Sequence, residues 1–184
     1  GFVDFHCHLR QPGFEEKETI ATGSKAAAKG GFTTICCMPN TEPALDNKAT
    51  IDFIKATSAS EACIRVLPIG CITKGRKGLE LADMGELAET GVVALSDDGS
   101  TIADSRIMKQ ALEYSLIFGL PISDHCEDAM LSNGTDKRGH HCHQAGVKGY
   151  SERGRRKRYC KGHRSGKTYG SQDTYLSYQH RRLC

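Results

Sequence analysis

The sequence lacks long apolar segments and paired-cysteine motifs. None of its apolar stretches approaches the roughly 20 residues that span a membrane, and nothing in it resembles a signal peptide. We therefore expect a cytoplasmic protein without a membrane partner. The nine cysteines include no C-x-x-C pair, which argues against a structural zinc ribbon. Because Cys36 and Cys37 are adjacent in an apolar run, we expect reduced thiols that pack as small apolar side chains.

The last 50 residues are poor in apolar side chains and opposite in charge to the rest. Residues 1–134 carry 12 Lys and Arg against 19 Asp and Glu, whereas residues 135–184 carry 13 against 3. After residue 134, Ile, Leu, Val, Met and Phe are represented only by Val147, Leu176 and Leu183. Such a segment cannot bury enough apolar surface to offset the entropy of ordering, so we predict a disordered basic tail over 135–184.

Two functional interpretations of this tail stay open. Its basic residues, mixed with Tyr150, Tyr159 and Tyr169, are suited to RNA through phosphate contacts and stacking. The run His140-His141-Cys142-His143 offers three imidazoles and a thiolate to a metal. We expect neither, and nucleic acid is not an expected partner.

Residues 1–134 alternate between strand-like and helix-like segments. Strands are predicted at 1–9, 32–38, 64–72, 92–96 and 121–124. Helices are predicted between them at 14–29, 46–58 with Asp46 as N-cap, 79–89 and 104–118. This rhythm predicts an α/β fold with a parallel sheet and helices outside it. It corresponds to about five of the eight βα units of a barrel that typically needs about 250 residues.

Two histidines end the first predicted strand. His6 and His8 are two residues apart, so on a strand they share one face with Asp4. The opposite face, which suits a helix layer, carries Val3, Phe5, Cys7 and Leu9. Neutral imidazoles at a strand end can share a metal ion. From the spacing alone, a metal pair and ordinary strand-end histidines are equally open.

Polar residues also end three later predicted strands. Asn40 follows the second strand, Asp97 and Asp98 follow the fourth, and His125 follows the fifth. The catalytic residues of a βα-barrel gather at the C-terminal ends of its strands. The pattern therefore predicts one site built from several strand ends.

Four motifs together resemble dihydroorotase of the bacterial type, within the cyclic amidohydrolases. In order, they are His6-Cys7-His8-Leu9-Arg10-Gln11-Pro12-Gly13, Met38-Pro39-Asn40-Thr41, Ser96-Asp97-Asp98-Gly99 and His125-Cys126-Glu127-Asp128. The resemblance runs from Gly1 to about Asn133. Arg10 favours dihydroorotase over allantoinase and hydantoinase, because that family uses it to hold the substrate carboxylate. Taken alone, Arg10 also fits a surface salt bridge and Asn40 a turn.

The resemblance implies a partial metal-dependent (β/α)8 TIM barrel with one or two zinc ions. The reaction implied is the interconversion of N-carbamoyl-L-aspartate and (S)-dihydroorotate in pyrimidine biosynthesis. The metal ligands implied are His6, His8, one aspartate of Ser96-Asp97-Asp98-Gly99 as the bridge, and His125. The substrate contacts implied are His8, Arg10 and Asn40. No residue matches the general-base aspartate of the family, so no catalytic base is assigned.

Parity along the fourth predicted strand decides between the two aspartates. If Ala94 and Ser96 face the barrel interior, Asp98 does so too. The helix side would then carry Val93, Leu95 and Asp97. We therefore predict Asp98 as the ligand and Asp97 as a loop carboxylate or a partner that supports the ligands.

The resemblance also makes the chain a fragment, and as such we expect it to be inactive. We favour a frameshift near or shortly after Asn133, since codons for 147–167 read one nucleotide displaced can encode a Gly-Ile-Pro loop and an amphipathic helix. For the intact protein, a homodimer or a complex with a pyrimidine-pathway enzyme is considered beside its small-molecule substrate. The alternatives are another cyclic amidohydrolase, allantoinase or hydantoinase-like, and a non-catalytic scaffold.

Overall fold

A three-stranded parallel sheet organises the part of the chain that the computed structural model describes, residues 1–126. Its strands are β1 (Phe2–Cys7), β2 (Phe32–Cys37) and β3 (Arg65–Pro68), hydrogen-bonded in the order β1-β2-β3. The order continues beyond β3 only as single parallel bridges, from Gly70 to Leu95 and from Leu95 to Ile122. The parallel α/β fold is therefore as predicted, whereas the fourth and fifth predicted strands are isolated bridges.

Four helices of the described region follow or connect these strands. They are α1 (Ile20–Lys29), α2 (Lys48–Glu61), α3 (Met84–Glu89) and α4 (Ser105–Ile117). None of the helices within residues 1–126 has the length and apolar character to cross a bilayer. The chain divides into two units, 1–123 and 124–184. The predicted tail over 135–184 and its boundary at residue 134 lie outside the described residues.

Local capping bonds overturn three predicted helix starts. Helix α1 begins at Ile20 rather than at 14, because Thr19 and Thr22 form a reciprocal capping box there. Asn47, not Asp46, caps α2 by accepting from the Thr50 amide. Helix α3 begins at Met84 rather than at 79, because Asp83 caps it and Leu81 pairs in an antiparallel bridge instead.

Two apolar clusters lie on opposite faces of the sheet. The outer cluster joins strand residues such as Ile35 and Cys37 to side chains of all four helices. The inner cluster consists of Cys36, Met38, Ile69 and Ala94, with Leu67 and Val93 at its margin. Alternation along β2 explains the division, because successive side chains of a strand point to opposite faces.

Two predictions about which side chains contact the helix layer are wrong. Val3 and Phe5 do not pack under helices in the described region, where they are 47% and 52% exposed, because β1 is the edge strand of the sheet. Only Cys7 and Leu9, at the far end of that segment, reach the outer cluster. Val93 contacts the inner cluster rather than the helix side, since residues 92–96 do not form a regular strand.

Candidate metal centre

Three side chains converge where β1 and the 92–96 segment end. His6 Nε2 lies 3.4 Å from Asp98 Oδ1, and His8 Nε2 lies 3.6 Å from Asp98 Oδ2. Their ligand atoms all lie within 4.8 Å of one another. Within residues 1–126, no other group of three His, Cys, Asp or Glu side chains has this geometry. The strand-end pattern therefore brings together three of the four residues that the sequence predicted as metal ligands.

The end of β1 is anchored to β2 between the two histidines, after a register shift between Asp4 and Cys7. The Met38 amide donates to the Cys7 carbonyl at 2.9 Å, which extends the pairing with β2 past the formal strand end. The Asp4 carboxylate accepts from the His6 amide at 3.0 Å. Because both histidines flank this anchored residue, the two imidazoles stay on one side of the sheet, with ring centroids 5.1 Å apart.

The backbone of Asp98 is fixed by a serine two residues earlier. Ser96 Oγ accepts from the Asp98 amide at 3.1 Å and donates to the Ser123 carbonyl at 2.7 Å. Gly99 then reverses the chain with a φ of 78°, a left-handed conformation that favours glycine. The carboxylate of Asp98 is consequently presented at the strand end with its side chain only 9% exposed.

Asn40 determines which nitrogen of His8 carries the proton. Its Nδ2 donates to Asp98 Oδ2 at 3.3 Å, and an ionised carboxylate can only accept. Its Oδ1 therefore faces His8 Nδ1, 3.0 Å away, and accepts a hydrogen bond from the N–H of that nitrogen. The lone pair of His8 is then left on Nε2, the atom that faces Asp98. A carbonyl oxygen that fixes a histidine in this way is a common partner of metal-bound imidazoles.

The donors lie close enough together to share a small divalent cation. Zinc lies about 2.0–2.2 Å from nitrogen and oxygen ligands, so its ligands are a few ångströms apart. The two His–Asp98 separations, 3.4 and 3.6 Å, run to different oxygens of the carboxylate and exceed an ordinary hydrogen bond. Two neutral imidazoles with one carboxylate are a donor set that suits Zn²⁺.

Asp97 lies apart from the histidines and has structural partners. It is buried, and its carboxylate accepts from the amides of Ile72 and Thr73 at 2.9 and 3.1 Å and from the Thr73 hydroxyl. Burial raises the pKa of the Asp97 carboxyl, while the bonds from Thr73 and Ile72 act in the opposite direction. Asp97 thus joins the segment that follows β3 to the segment that carries Asp98.

Arg10 stands two residues after His8 in an uncommon backbone conformation. Its φ is 60°, and its carbonyl accepts from the Phe14 amide at 3.0 Å. A non-glycine residue in this region is a feature that concentrates at binding sites. His125 belongs to the second unit, in which only residues 124–126 are described. Its role as a ligand therefore stays a prediction.

The cysteines near the site are protonated packing groups. Cys7 Sγ donates to the Cys36 carbonyl at 3.2 Å, and burial raises the pKa of the Cys7 thiol far above its ordinary value. Burial also raises the pKa of Cys37 to about 12. The thiolate is the form that attacks and binds metals, so these side chains are unsuited to either role. Cys36 is a free thiol as well, and so are Cys63 and Cys71.

Sequence reasoning missed one residue at the site, Arg76. Its guanidinium Nη1 donates to the backbone carbonyl of Asp98 at 2.6 Å. In the sequence it stands in the charged run Lys74-Gly-Arg-Lys77, which is typical of a solvated turn. No local signal distinguishes it from its lysine neighbours, because the contact depends on tertiary placement.

Comparison with known proteins identifies a family that matches most of the chain. The dihydro-orotase-like family model matches residues 1–152. The chain is 54% identical over 133 residues to the dihydroorotase of Caldicellulosiruptor saccharolyticus, which covers 72% of this chain and 31% of the relative. It is 49% identical over 150 residues to the dihydroorotase of Endomicrobium trichonymphae, covering 81% and 36%. The chain thus spans about a third of the length of these curated relatives.

Solved structures of cyclic amidohydrolases share its fold. The L-hydantoinase (dihydropyrimidinase) of Arthrobacter aurescens matches with a TM-score of 0.73 at 17% identity, over 92% of this chain and 40% of that one. A dihydroorotase of Saccharomyces cerevisiae, solved in complex with 5-fluoroorotic acid, matches with a TM-score of 0.64 at 12% identity, over 91% and 44%. These likenesses concern fold alone. The family match and the sequence identities show that the chain belongs to the dihydroorotase-like family.

Proposed function

We propose that this chain is the metal-binding and substrate-binding part of a zinc-dependent dihydroorotase. The intact enzyme would interconvert N-carbamoyl-L-aspartate and (S)-dihydroorotate in the cytoplasm. The observation that carries the proposal is the convergence of His6, His8 and Asp98, with their ligand atoms within 4.8 Å. Membership of the dihydroorotase-like family supplies the reaction class.

The donor set assigns residues to the metal. His6, His8 and Asp98 would hold a zinc ion, and His125 stays a predicted ligand from the second unit. When bound, zinc would supply an activated water and polarise the amide carbonyl of the substrate. Asn40 keeps the Nε2 lone pair of the neutral His8 ring available by accepting a hydrogen bond from Nδ1–H.

Substrate binding is assigned to Arg10 and Asn40, with His8. Both substrates carry a carboxylate, and a planar guanidinium binds that group through two parallel hydrogen bonds. The left-handed backbone at Arg10 sends the chain sharply away from the strand end, two residues after a proposed ligand. No residue of this chain is assigned as general base, so we expect the chain alone to bind metal and not to turn over substrate.

A hydantoinase-like activity is the second candidate. Hydantoins and dihydroorotate are both cyclic amides, and the same pair of histidines and carboxylate would serve either substrate. A non-catalytic scaffold is the third hypothesis, and it predicts no dependence of any activity on Asp98.

A chimera tests the proposal. Residues 1–133 would replace the matching segment of the Caldicellulosiruptor dihydroorotase, which is 54% identical over that length. We expect zinc-dependent ring opening of dihydroorotate, abolished by Asp98→Ala. The matched control is Asp52→Ala, which removes a carboxylate from the exposed surface of α2.

Three substrates separate the candidates. Turnover of a hydantoin or allantoin without dihydroorotate would select another cyclic amidohydrolase. A folded, zinc-loaded chimera that is inactive on all three would refute the enzymatic proposal and leave the scaffold. Equal activity of the Asp98→Ala and Asp52→Ala chimeras would refute the assignment of Asp98.

A further inference from the structure

The turn that follows β3, residues 73–78, is fixed at two points by buried or partly buried carboxylates. Its first residue, Thr73, is fully buried and bonds through its amide and hydroxyl to Asp97. Its middle is held by Asp46, whose Oδ2 accepts from the Gly75 amide at 2.7 Å. A hydrogen bond joins the last residue of the turn to the first, because the Gly78 amide donates to Thr73 Oγ1 at 2.9 Å. The turn is thus a rigid support rather than a loose surface loop.

This support carries Arg76 in a backbone conformation that few side chains adopt. The φ of Arg76 is 56°, in the left-handed region, which costs about 1 kcal/mol or more for a residue other than glycine. The residue is half-buried, and its Nε is shielded from solvent without a hydrogen-bond partner in the described part of the chain. The hydrogen bond that offsets this cost runs from Nη1 to the Asp98 carbonyl, at 2.6 Å.

That bond completes the restraint of the Asp98 backbone. Ser96 Oγ accepts from the Asp98 amide, and Arg76 donates to the Asp98 carbonyl. Because the backbone N–H and C=O of Asp98 are both hydrogen-bonded, the direction of its Cα–Cβ bond is fixed. The Cα–Cβ direction in turn determines how the carboxylate approaches His6 and His8.

We propose that Arg76 is a positioning residue for the metal centre: by holding the Asp98 carbonyl, it keeps the Asp98 carboxylate directed at His6 and His8. This inference rests on the proposed metal site. Arg76 touches neither the metal ligand atoms nor the substrate in this assignment, and acts through the backbone of Asp98.

The direction in which zinc affinity changes when Arg76 is replaced distinguishes a positioning role from a purely electrostatic effect of its charge. A cation close to the site repels Zn²⁺, so removal of its charge alone would tighten zinc binding. Removal of a positioning contact would weaken zinc binding instead, typically by 10–100-fold for groups that orient metal ligands, so about tenfold is expected here. The two roles therefore predict changes in opposite directions.

The experiment measures zinc affinity of the full 184-residue chain by competition with a chromophoric chelator. We expect Arg76→Gln to weaken binding about tenfold. Lys77→Gln is the matched control, because it removes one positive charge from the same turn. It should bind zinc as wild type does, or slightly more tightly. Arg76→Lys, which keeps the charge and loses the planar fork, should fall between wild type and Arg76→Gln.

A second pair of measurements distinguishes a positioning role of Arg76 from a role in stability alone. Urea unfolding of the zinc-free variants reports the stability of the turn, and the visible spectrum of the Co²⁺-loaded chain reports ligand geometry. A positioning role changes the spectrum of folded Arg76→Gln, whereas a structural role changes only the urea midpoint. If Arg76→Gln does not fold, Arg76→Lys decides: several-fold weaker zinc binding supports the inference, and wild-type affinity overturns it.

The double variant His6→Ala/His8→Ala separates failure of this inference from failure of the metal site. Zinc that still binds in that variant belongs to other groups and is subtracted. If the double variant binds zinc as wild type does, the proposed metal site and the positioning role of Arg76 are both refuted. If it loses zinc while folded Arg76→Gln keeps wild-type affinity, or if Lys77→Gln weakens binding equally, only the positioning role is refuted.

Discussion

The two faces of this sheet differ in composition although adjacent residues supply them. The outer face buries Ile35 and Cys37 against side chains from every helix of the described region. The inner face has a small apolar cluster, with the polar group of His6, His8 and Asp98 beyond it at the strand ends. Stability is therefore concentrated on the outer face and chemistry on the inner one. Substitutions on the two faces should separate folding from metal binding.

The largest expected effect concerns thiols. The pKa of Cys37, on the outer face, is raised to about 12 from an ordinary value of 9.0. At pH 8 its thiolate fraction is then about a thousandfold below that of an ordinary thiol. We expect iodoacetamide to modify the exposed Cys63 far faster than the buried Cys37 in the folded chain, measured by peptide mass spectrometry. Comparable rates under native conditions would show that the outer face opens readily.

A truncation on the outer face should reduce stability without weakening zinc binding. Leu87 of α3 is fully buried, and Leu87→Ala should lower the free energy of unfolding by about 2–5 kcal/mol. Leu79→Ala is the control, since Leu79 is 76% exposed and should change the urea midpoint little. Loss of zinc affinity in folded Leu87→Ala would contradict the separation of the two faces.

A substitution on the inner face should do the reverse. Asp98→Asn keeps the shape of the side chain and removes the charged ligand oxygen. We expect zinc affinity to fall about 100-fold, equivalent to about 2.7 kcal/mol, with little change in urea midpoint of the zinc-free chain. Asp52→Asn, at an exposed position of α2, removes the same charge and should leave both quantities nearly unchanged.

The smallest expected changes in zinc affinity and in stability concern two asparagines, Asn40 and Asn47, which have different roles. Asn40→Ala removes the acceptor that fixes His8, so zinc affinity should fall about tenfold. Asn47→Ala removes the N-cap of α2 and should lower the free energy of unfolding by about 1 kcal/mol without changing zinc affinity. Isothermal titration and urea unfolding measure the two quantities. An exchange of the two effects would refute the roles given to both residues.

The sequence predicted most of the site because strand ends follow simple rules. Alternation placed His6 and His8 on one side, and the polar tips of later strands indicated Asn40 and Asp98. Helix starts were harder, since they depend on which of several capping side chains forms its bond, as at Thr19 and Asp83. These errors did not move the site, because the strand ends and not the helix starts carry it.

Two further features depend on tertiary placement that local pattern does not contain. The exposure of Val3 and Phe5 follows from the position of β1 at the sheet edge, and an apolar alternating strand has the same sequence at an edge or a centre. Arg76 reaches Asp98 only because Asp46 and Asp97 anchor its turn from two other segments. Neither relation has a signature within a window of a few residues.

The sheet order β1-β2-β3, continued by the bridges at Leu95, also has a kinetic consequence. His6 and Asp98 are separated by about ninety residues, and each parallel pairing between them requires a crossover connection to close first. We therefore expect the carboxylate to reach the histidines only after the intervening strands have paired. A metal held by these side chains would then bind late in refolding and stabilise the finished sheet rather than nucleate it.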